Sequence, residues 1–185
     1  MKPILFISLS VLVLLSFCGC KPSGLHGSGV TVSTAETTTP ATTRESHIKL
    51  EFSLEGMPEY QDAKLFVGKG YSLYIPEDNW VKTPGENGEV TWTSGYNPDI
   101  VLKVIPNAGS ALHQVKDSLF AGYTCFEEDG QYIFGHDDSG SFYRAARLIE
   151  TPNGILAAVW DYSLEATEGF GARLYVIAGT LEATH

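Results

Sequence analysis

Apolar and polar residues alternate in the segment that begins at residue 48, and this alternation constrains the fold more than any other sequence feature. Ile48, Leu50, Phe52 and Leu54 occupy every second position, with Lys, Glu or Ser between them. A period of two places all four apolar side chains on the same face of a β-strand. The segment therefore predicts a strand with one buried face, and such a strand needs a sheet to pair with.

Further strands and two helices are predicted along the rest of the chain. Gly56 and Pro58 are expected to end the first strand, and residues 77–80 to form a turn that returns Trp80 to the sheet. Apolar residues recur at helical spacing in two segments, residues 107–121 and 170–181. The remaining predicted strands are residues 63–67, 71–75, 89–94, 100–105, 131–134, 142–149 and 155–162.

This element order predicts the α+β class, with a central antiparallel β-sheet flanked by two helices. Five strands, a helix, three strands and a helix follow one another through short turns, which favours antiparallel pairing. The turn Thr151-Pro152-Asn153-Gly154 predicts a hairpin between the last two strands. Residues 48–185 are therefore expected to form one globular domain.

Three apolar patterns resemble the PsbP-like fold: GYSLYIPEDNW at residues 70–80, ILAAVWDYS at residues 155–163 and GFGARLYVIAGTLEA at residues 169–183. The resemblance covers about residues 65–183 and implies an αβα sandwich. PsbP-like domains are known as binding and assembly modules, so the resemblance supplies no catalytic residue. The stretch EFSLEGMPE at residues 51–59 also resembles exported lipoproteins of Gram-positive anaerobes, for which no activity is known.

The first twenty residues have the pattern of an export signal. Lys2 precedes an apolar run, residues 3–17, that is shorter than the ~20 residues a spanning helix needs. The run ends in Cys18-Gly19-Cys20, which resembles the bacterial lipoprotein signal. The interpretation is a signal peptide at residues 1–19 with lipidation at Cys20. Lipidation at Cys18 and an ordinary secretory signal cut nearby are the alternatives.

Residues 20–47 have the composition of a tether. Thr, Ser and Gly dominate, and no apolar period is present. Such a segment buries too little surface to offset the entropy of ordering it, so we expect a lipid anchor site followed by a flexible spacer. The expected location is the extracytoplasmic face of a bacterial cell membrane.

The charge of the domain excludes nucleic acid as a partner. Residues 48–185 contain nine Lys and Arg against twenty Asp and Glu, a net charge of −11. A phosphate backbone requires clustered basic residues, and the sequence has no such cluster. The same negative charge disfavours an anionic membrane surface, so attachment is expected through lipid alone. Cys125, between aromatic neighbours, is interpreted as a buried small hydrophobic residue.

Polar residues around one predicted strand suggest two kinds of chemistry, hydrolysis and calcium binding. His136 with Asp137 or Asp161 has the residue types of a hydrolase, although adjacent residues rarely face one substrate. A calcium site is a weak hypothesis, because the alternating spacing of a calcium loop is missing. Asp161 is expected to pair with Arg144 or Arg147 on the neighbouring strand. The weak metal candidates are Glu127, Glu128, Asp129, Asp137 and Asp138.

No phosphate loop, dinucleotide motif or paired cysteines occur, and no cofactor is expected. Aromatic side chains are the remaining candidates, because exposed rings stack on glycans or peptides. Tyr96, Trp80 and Trp92 are the candidate ligand-binding residues, and Tyr96 lies in a turn where exposure is expected. The sequence favours a non-catalytic binding or accessory module for a protein, peptide or envelope ligand. An envelope hydrolase and a calcium-stabilised spacer are the alternatives.

Overall fold

The computed structural model of the protein describes residues 44–54 and 56–184, which form eleven β-strands and two α-helices. The helices are α1 (Leu112–Leu119) and α2 (Ala172–Gly179). The strands are β1 (His47–Leu54), β2 (Met57–Gly68), β3 (Tyr71–Pro76), β4 (Trp80–Pro84), β5 (Val90–Ser94), β6 (Val101–Ile105), β7 (Tyr123–Asp129), β8 (Tyr132–Asp137), β9 (Phe142–Thr151), β10 (Gly154–Ser163) and β11 (Glu182–Ala183).

The strands form two antiparallel sheets. The small sheet has the order β1-β2-β3-β11, and the large sheet has the order β4-β5-β6-β10-β9-β8-β7. The predicted hairpin at residues 151–154 is confirmed, since Thr151 and Gly154 pair at the end of β9 and β10.

Strand β10 lies in the middle of the large sheet, and both of its faces are buried. Leu156, Ala158 and Trp160 belong to a core shared with the small sheet and α2. Ile155 and Val159 belong to a second core, which α1 covers through Val115 and Phe120. The large sheet therefore has α1 on one face, and α2 together with the small sheet on the other.

The prediction of a single central sheet was wrong, because β1, β2 and β3 form a separate sheet. Alternating apolar residues identify a strand and its buried face, but they do not specify which strand lies beside it. Pro58 does not end β1 but lies inside β2, opposite Ser53. Pairing at the sheet edge tolerates a proline, since no neighbour needs its missing N–H there.

Both helices are shorter than predicted. The first begins at Leu112 rather than residue 107, because Ala108 and Gly109 form backbone hydrogen bonds to Ile155 of β10. Before α2, the chain forms a 3₁₀ turn at Leu164–Ala166 and a π-helical turn at Thr167–Gly171. Three further strands, β4, β7 and β11, were not predicted.

The folded region extends at least to Arg44. The Arg44 Nη1 atom donates a hydrogen bond of 3.0 Å to Ser72 Oγ, and its guanidinium lies 4.4 Å from the centroid of the Tyr74 ring. The tether was predicted to continue to residue 47. From Arg44 onward, however, its last residues contact the domain. The predicted signal peptide, Cys20 and residues 21–43 lie outside the described residues.

Candidate functional site

Two of the predicted ligand-binding residues, Trp80 and Trp92, line one groove where the small sheet meets the large sheet. Trp80 is half-buried at the start of β4, and Trp92 is buried in β5. Phe66 of β2 packs edge to face against Trp92, with ring centroids 5.0 Å apart. We call this cavity of about 410 Å³ the tryptophan groove; it is lined by Lys64, Leu65, Phe66, Ile75, Pro76, Glu77, Trp80, Lys82 and Trp92.

The tryptophan groove combines aromatic rings with positive charge. Lys82 Nζ lies 5.1 Å from the centroid of the Phe66 ring, and Lys64 is exposed at the same groove. The single carboxylate in the lining, Glu77, lies 3.4 Å from His47 Nε2. The groove therefore carries two ammonium groups against one carboxylate, in a domain whose net charge is −11. An apolar ligand with a negative charge fits this arrangement.

Tyr96 lies on the other side of Trp80. Its side chain is 65% exposed, which confirms the exposure expected from its turn. The hydroxyl donates to both carboxylate oxygens of Asp78, at 2.9 Å each, and this hydrogen bond raises the pKa of Tyr96. Tyr96 does not line the tryptophan groove but a narrow crevice beside Arg173, which Trp80 also lines.

A second aromatic surface lies on β7, β8 and β9 of the large sheet, next to α2. Phe126 stacks against His136 with centroids 5.9 Å apart, and both rings contact Tyr143. Phe134 stacks against Tyr175 of α2 at 6.3 Å. We call this surface the aromatic face; its members are Phe126, Phe134, His136, Tyr143, Tyr162 and Tyr175.

The aromatic face continues into a groove of about 420 Å³ beside α2, which Phe134, Tyr162 and Tyr175 help to line. Phe126 is 55% exposed and Tyr175 43% exposed. Phe126 was not among the aromatic candidates predicted from the sequence. Its strand β7 carries Glu127-Glu128-Asp129, which lowers its β-propensity and masked the strand pattern.

Asp161 is held in a structural pair. Arg144 donates from Nε and Nη2 to the two carboxylate oxygens of Asp161, at 2.7 and 2.9 Å. This contact raises the pKa of Arg144. The prediction that Asp161 pairs with Arg144 or Arg147 is confirmed for Arg144. The Asp161 carboxylate is thus occupied by a guanidinium.

The residues of the hydrolase hypothesis do not face one another as a catalytic set. His136 Nδ1 lies 2.8 Å from the backbone carbonyl oxygen of Asp137. Ser139 donates to the Asp137 carboxylate at 2.7 Å, and the backbone N–H groups of Ser141 and Phe142 also donate to it. These hydrogen bonds lower the pKa of Asp137. The carboxylate stabilises its own turn.

The weak metal candidates lie at both ends of β8. Glu127, Glu128 and Asp129 are in β7, whereas Asp137 and Asp138 follow at the far end of the hairpin. Glu128 forms an ion pair with Lys116 of α1. Among the described residues, no group of three or more His, Cys, Asp or Glu side chains is placed to hold a metal ion.

Two remaining features have no assigned role in ligand binding. Cys125 was expected to be buried; it is half-buried and packs against the second core. A cavity of about 610 Å³ is lined by residues that include Lys69, Asn107 and Asn153. Over residues 44–54 and 56–184, no helix has the length and apolar character required to cross a bilayer.

No protein-family model and no curated protein matches this sequence. The structure is similar to the solution structure of cyanobacterial PsbP (CyanoP) from Synechocystis sp. PCC 6803, with a TM-score of 0.45 and 12% sequence identity. The match covers 66% of this chain and 92% of that chain.

Proposed function

We propose that this chain is a lipid-anchored extracytoplasmic protein that binds an envelope ligand without chemical conversion. The tryptophan groove is the proposed ligand site. The observation that carries the proposal is the position of Trp80, Trp92 and Phe66 in one concave groove with Lys64 and Lys82 at its sides. Ligand sites are typically concave and ring-lined, with a few polar groups that orient the ligand.

The groove selects its ligand by two features. Phe66 and Trp80 offer half-buried rings, which favour an aliphatic or aromatic body. Lys64 and Lys82 favour an anionic group attached to that body, because opposite charges attract most strongly in a partly desolvated groove. The ligand class is therefore an amphiphile or aromatic compound with a carboxylate, sulfonate or phosphate.

The ligand site is tested by NMR of the three tryptophan indole N–H groups. Trp160 is 1% exposed in the core and serves as an internal control. Titration with 2-naphthoate is expected to shift the Trp80 resonance and leave Trp160 unchanged. The neutral analogue 2-naphthalenemethanol should bind the wild-type protein about tenfold more weakly than 2-naphthoate does. The double variant Lys64→Gln, Lys82→Gln should likewise bind 2-naphthoate about tenfold more weakly than the wild-type protein does. Equal binding of the acid and the alcohol would contradict the proposed selectivity.

Naphthoate represents the ligand class, an apolar body with an anionic group. Lipids and peptides are two natural sources of such a ligand. A short-chain phosphatidylglycerol tests the lipid source, and a peptide ending in Phe with a free carboxylate tests the peptide source. Whichever of them shifts the Trp80 resonance at the lower concentration identifies the source. A response to none of the three probes would remove the tryptophan groove as the ligand site.

The anchor is tested by fractionation of bacterial cells that express the full chain. The wild-type protein is expected in the membrane fraction. The Cys20→Ser variant is expected to be released from that fraction, because the acyl chains supply the membrane affinity. Cys18→Ser is the matched control and should stay with membranes. If Cys18→Ser is released instead, the lipidated residue is Cys18.

A further inference from the structure

The exposure of Phe126 follows from a β-bulge in the edge strand β7. Cys125 pairs with Gly135 and Glu127 pairs with Phe134, so Phe126 is an extra residue between two ladder positions. The bulge turns its ring onto the aromatic face, against His136. A β-bulge changes the direction in which a side chain of the strand points. Here it places a large apolar ring at the surface, where charged side chains usually protect an edge strand.

The same face carries negative charge. Glu127 lies directly opposite Phe134, and Asp129 directly opposite Tyr132, so each carboxylate shares a face with the ring beside it. Residues 123–141 contain five Asp or Glu and neither Lys nor Arg. Of these five, Glu127 and Asp129 lie on the aromatic face, whereas Glu128 lies on the opposite face of the sheet.

Glu127 and Asp129 are available to a partner. Glu128 pairs with Lys116, and Asp137 accepts hydrogen bonds from its own turn. Within the described part of the chain, Glu127 and Asp129 take part in no ion pair. A partner that brings positive charge to the exposed ring of Phe126 would meet both carboxylates at once.

We infer that the aromatic face is a docking surface for a segment of a partner protein that is rich in Lys and Arg. The aliphatic stems of Lys and Arg cover aromatic rings while their charged groups reach nearby carboxylates. Phe126 and Tyr143 supply the rings, and Glu127 and Asp129 supply the carboxylates. This surface is separate from the tryptophan groove, whose lining shares no residue with it.

The docking surface is tested with fluorescein-labelled hexalysine by fluorescence anisotropy on the purified protein. Phe126→Ala and the charge-neutral Glu127→Gln, Asp129→Asn variant are each expected to weaken binding at least about tenfold. The matched control is Glu51→Gln, Asp62→Asn on β1 and β2, which removes the same charge elsewhere and should change binding by less than about twofold. Circular dichroism confirms that each variant is folded, and Phe126 is exposed enough for its truncation to be tolerated.

Three results would overturn the inference. Equal weakening by the control variant would show that hexalysine responds to net charge alone. Unchanged binding in Phe126→Ala would show that the ring is not part of the surface. Binding of chitohexaose that depends on Phe126, with no such dependence for hexalysine, would make the face a glycan site. None of these results alters the expected shift of the Trp80 resonance with naphthoate, so the two proposals fail separately.

Discussion

Arg144 and Asp161 lie directly opposite each other on β9 and β10, and their side chains form a two-pronged ion pair at 2.7 and 2.9 Å. The third donor of Arg144, Nη1, binds the carbonyl oxygen of Leu119 at 2.7 Å. That carbonyl lies in the last turn of α1, where no further helical N–H group follows to donate to it. A single pair therefore connects two neighbouring strands to the end of the helix that covers them.

Asp161→Asn is expected to lower the free energy of unfolding by about 1–3 kcal/mol, because it leaves the Arg144 guanidinium half-buried without its charge partner. The side chains are 25% and 28% exposed, which keeps the loss below that of a fully buried pair. Urea denaturation measures it. Asp138→Asn, in an adjacent turn, is the control and should change stability by less than about 0.5 kcal/mol. Equal stability of the two variants would contradict the role given to the pair.

Arg147→Met is expected to loosen the end of α2. Arg147 Nη1 donates to the carbonyl oxygens of Ala178, Gly179 and Leu181, at 3.0, 2.8 and 3.0 Å. Methionine retains most of the apolar stem but cannot donate, so the loss is expected to be about 1–2 kcal/mol. Hydrogen exchange should accelerate in the last turn of α2 and not in α1. Uniform acceleration in both helices would instead indicate a global loss of stability.

Gly154→Ala is expected to destabilise the β9–β10 hairpin by more than about 2 kcal/mol. Gly154 has a φ of +120°, and a Cβ atom there would lie 2.6 Å from Asn107 Oδ1 and 2.7 Å from the carbonyl oxygen of Gly109. Gly130→Ala is the matched control, with a φ of +57° and no atom within 4 Å of the added Cβ. Its cost is expected near 1 kcal/mol, from backbone strain alone. Thermal or urea unfolding that ranks the two variants equally would contradict the steric argument.

Tyr71 is expected to make the fold sensitive to alkaline pH. Burial raises the pKa of Tyr71 from 10.0 to about 12. The unfolded chain therefore loses this proton before the folded chain does. The contribution of Tyr71 to stability is complete below pH 10 and declines as the pH rises towards 12.

Tyr71→Phe tests this dependence, because phenylalanine fills the same space and has no proton to lose. Between pH 10 and 12, its stability should decline more slowly than that of the wild-type protein, by about 1 kcal/mol per pH unit. Denaturation curves at several pH values measure the difference. Burial also raises the pKa of Tyr123, Tyr132 and Tyr162, so part of the alkaline decline should remain. Tyr60→Phe, at an exposed position, should follow the wild-type curve.

Much of the fold could be predicted from local patterns. The alternation in β1, the apolar runs of β3 and β10 and the turn at residues 151–154 depend on neighbouring residues, so the sequence shows them directly. The pairing of Asp161 with a β9 arginine was also predictable, because a hairpin with a known turn has a known register. The edge strands β4 and β7 were missed, since their polar side chains interrupt the apolar period.

The sequence by itself determined most of the strands, the buried face of β1 and the acidic charge of the domain. The division into two sheets, the tryptophan groove and the aromatic face were decided by tertiary structure alone. Each depends on residues far apart in the chain, such as Phe66 against Trp92 and Phe134 against Tyr175. Local periodicity records which side of a strand is apolar, whereas the partner of that side depends on packing among all elements at once.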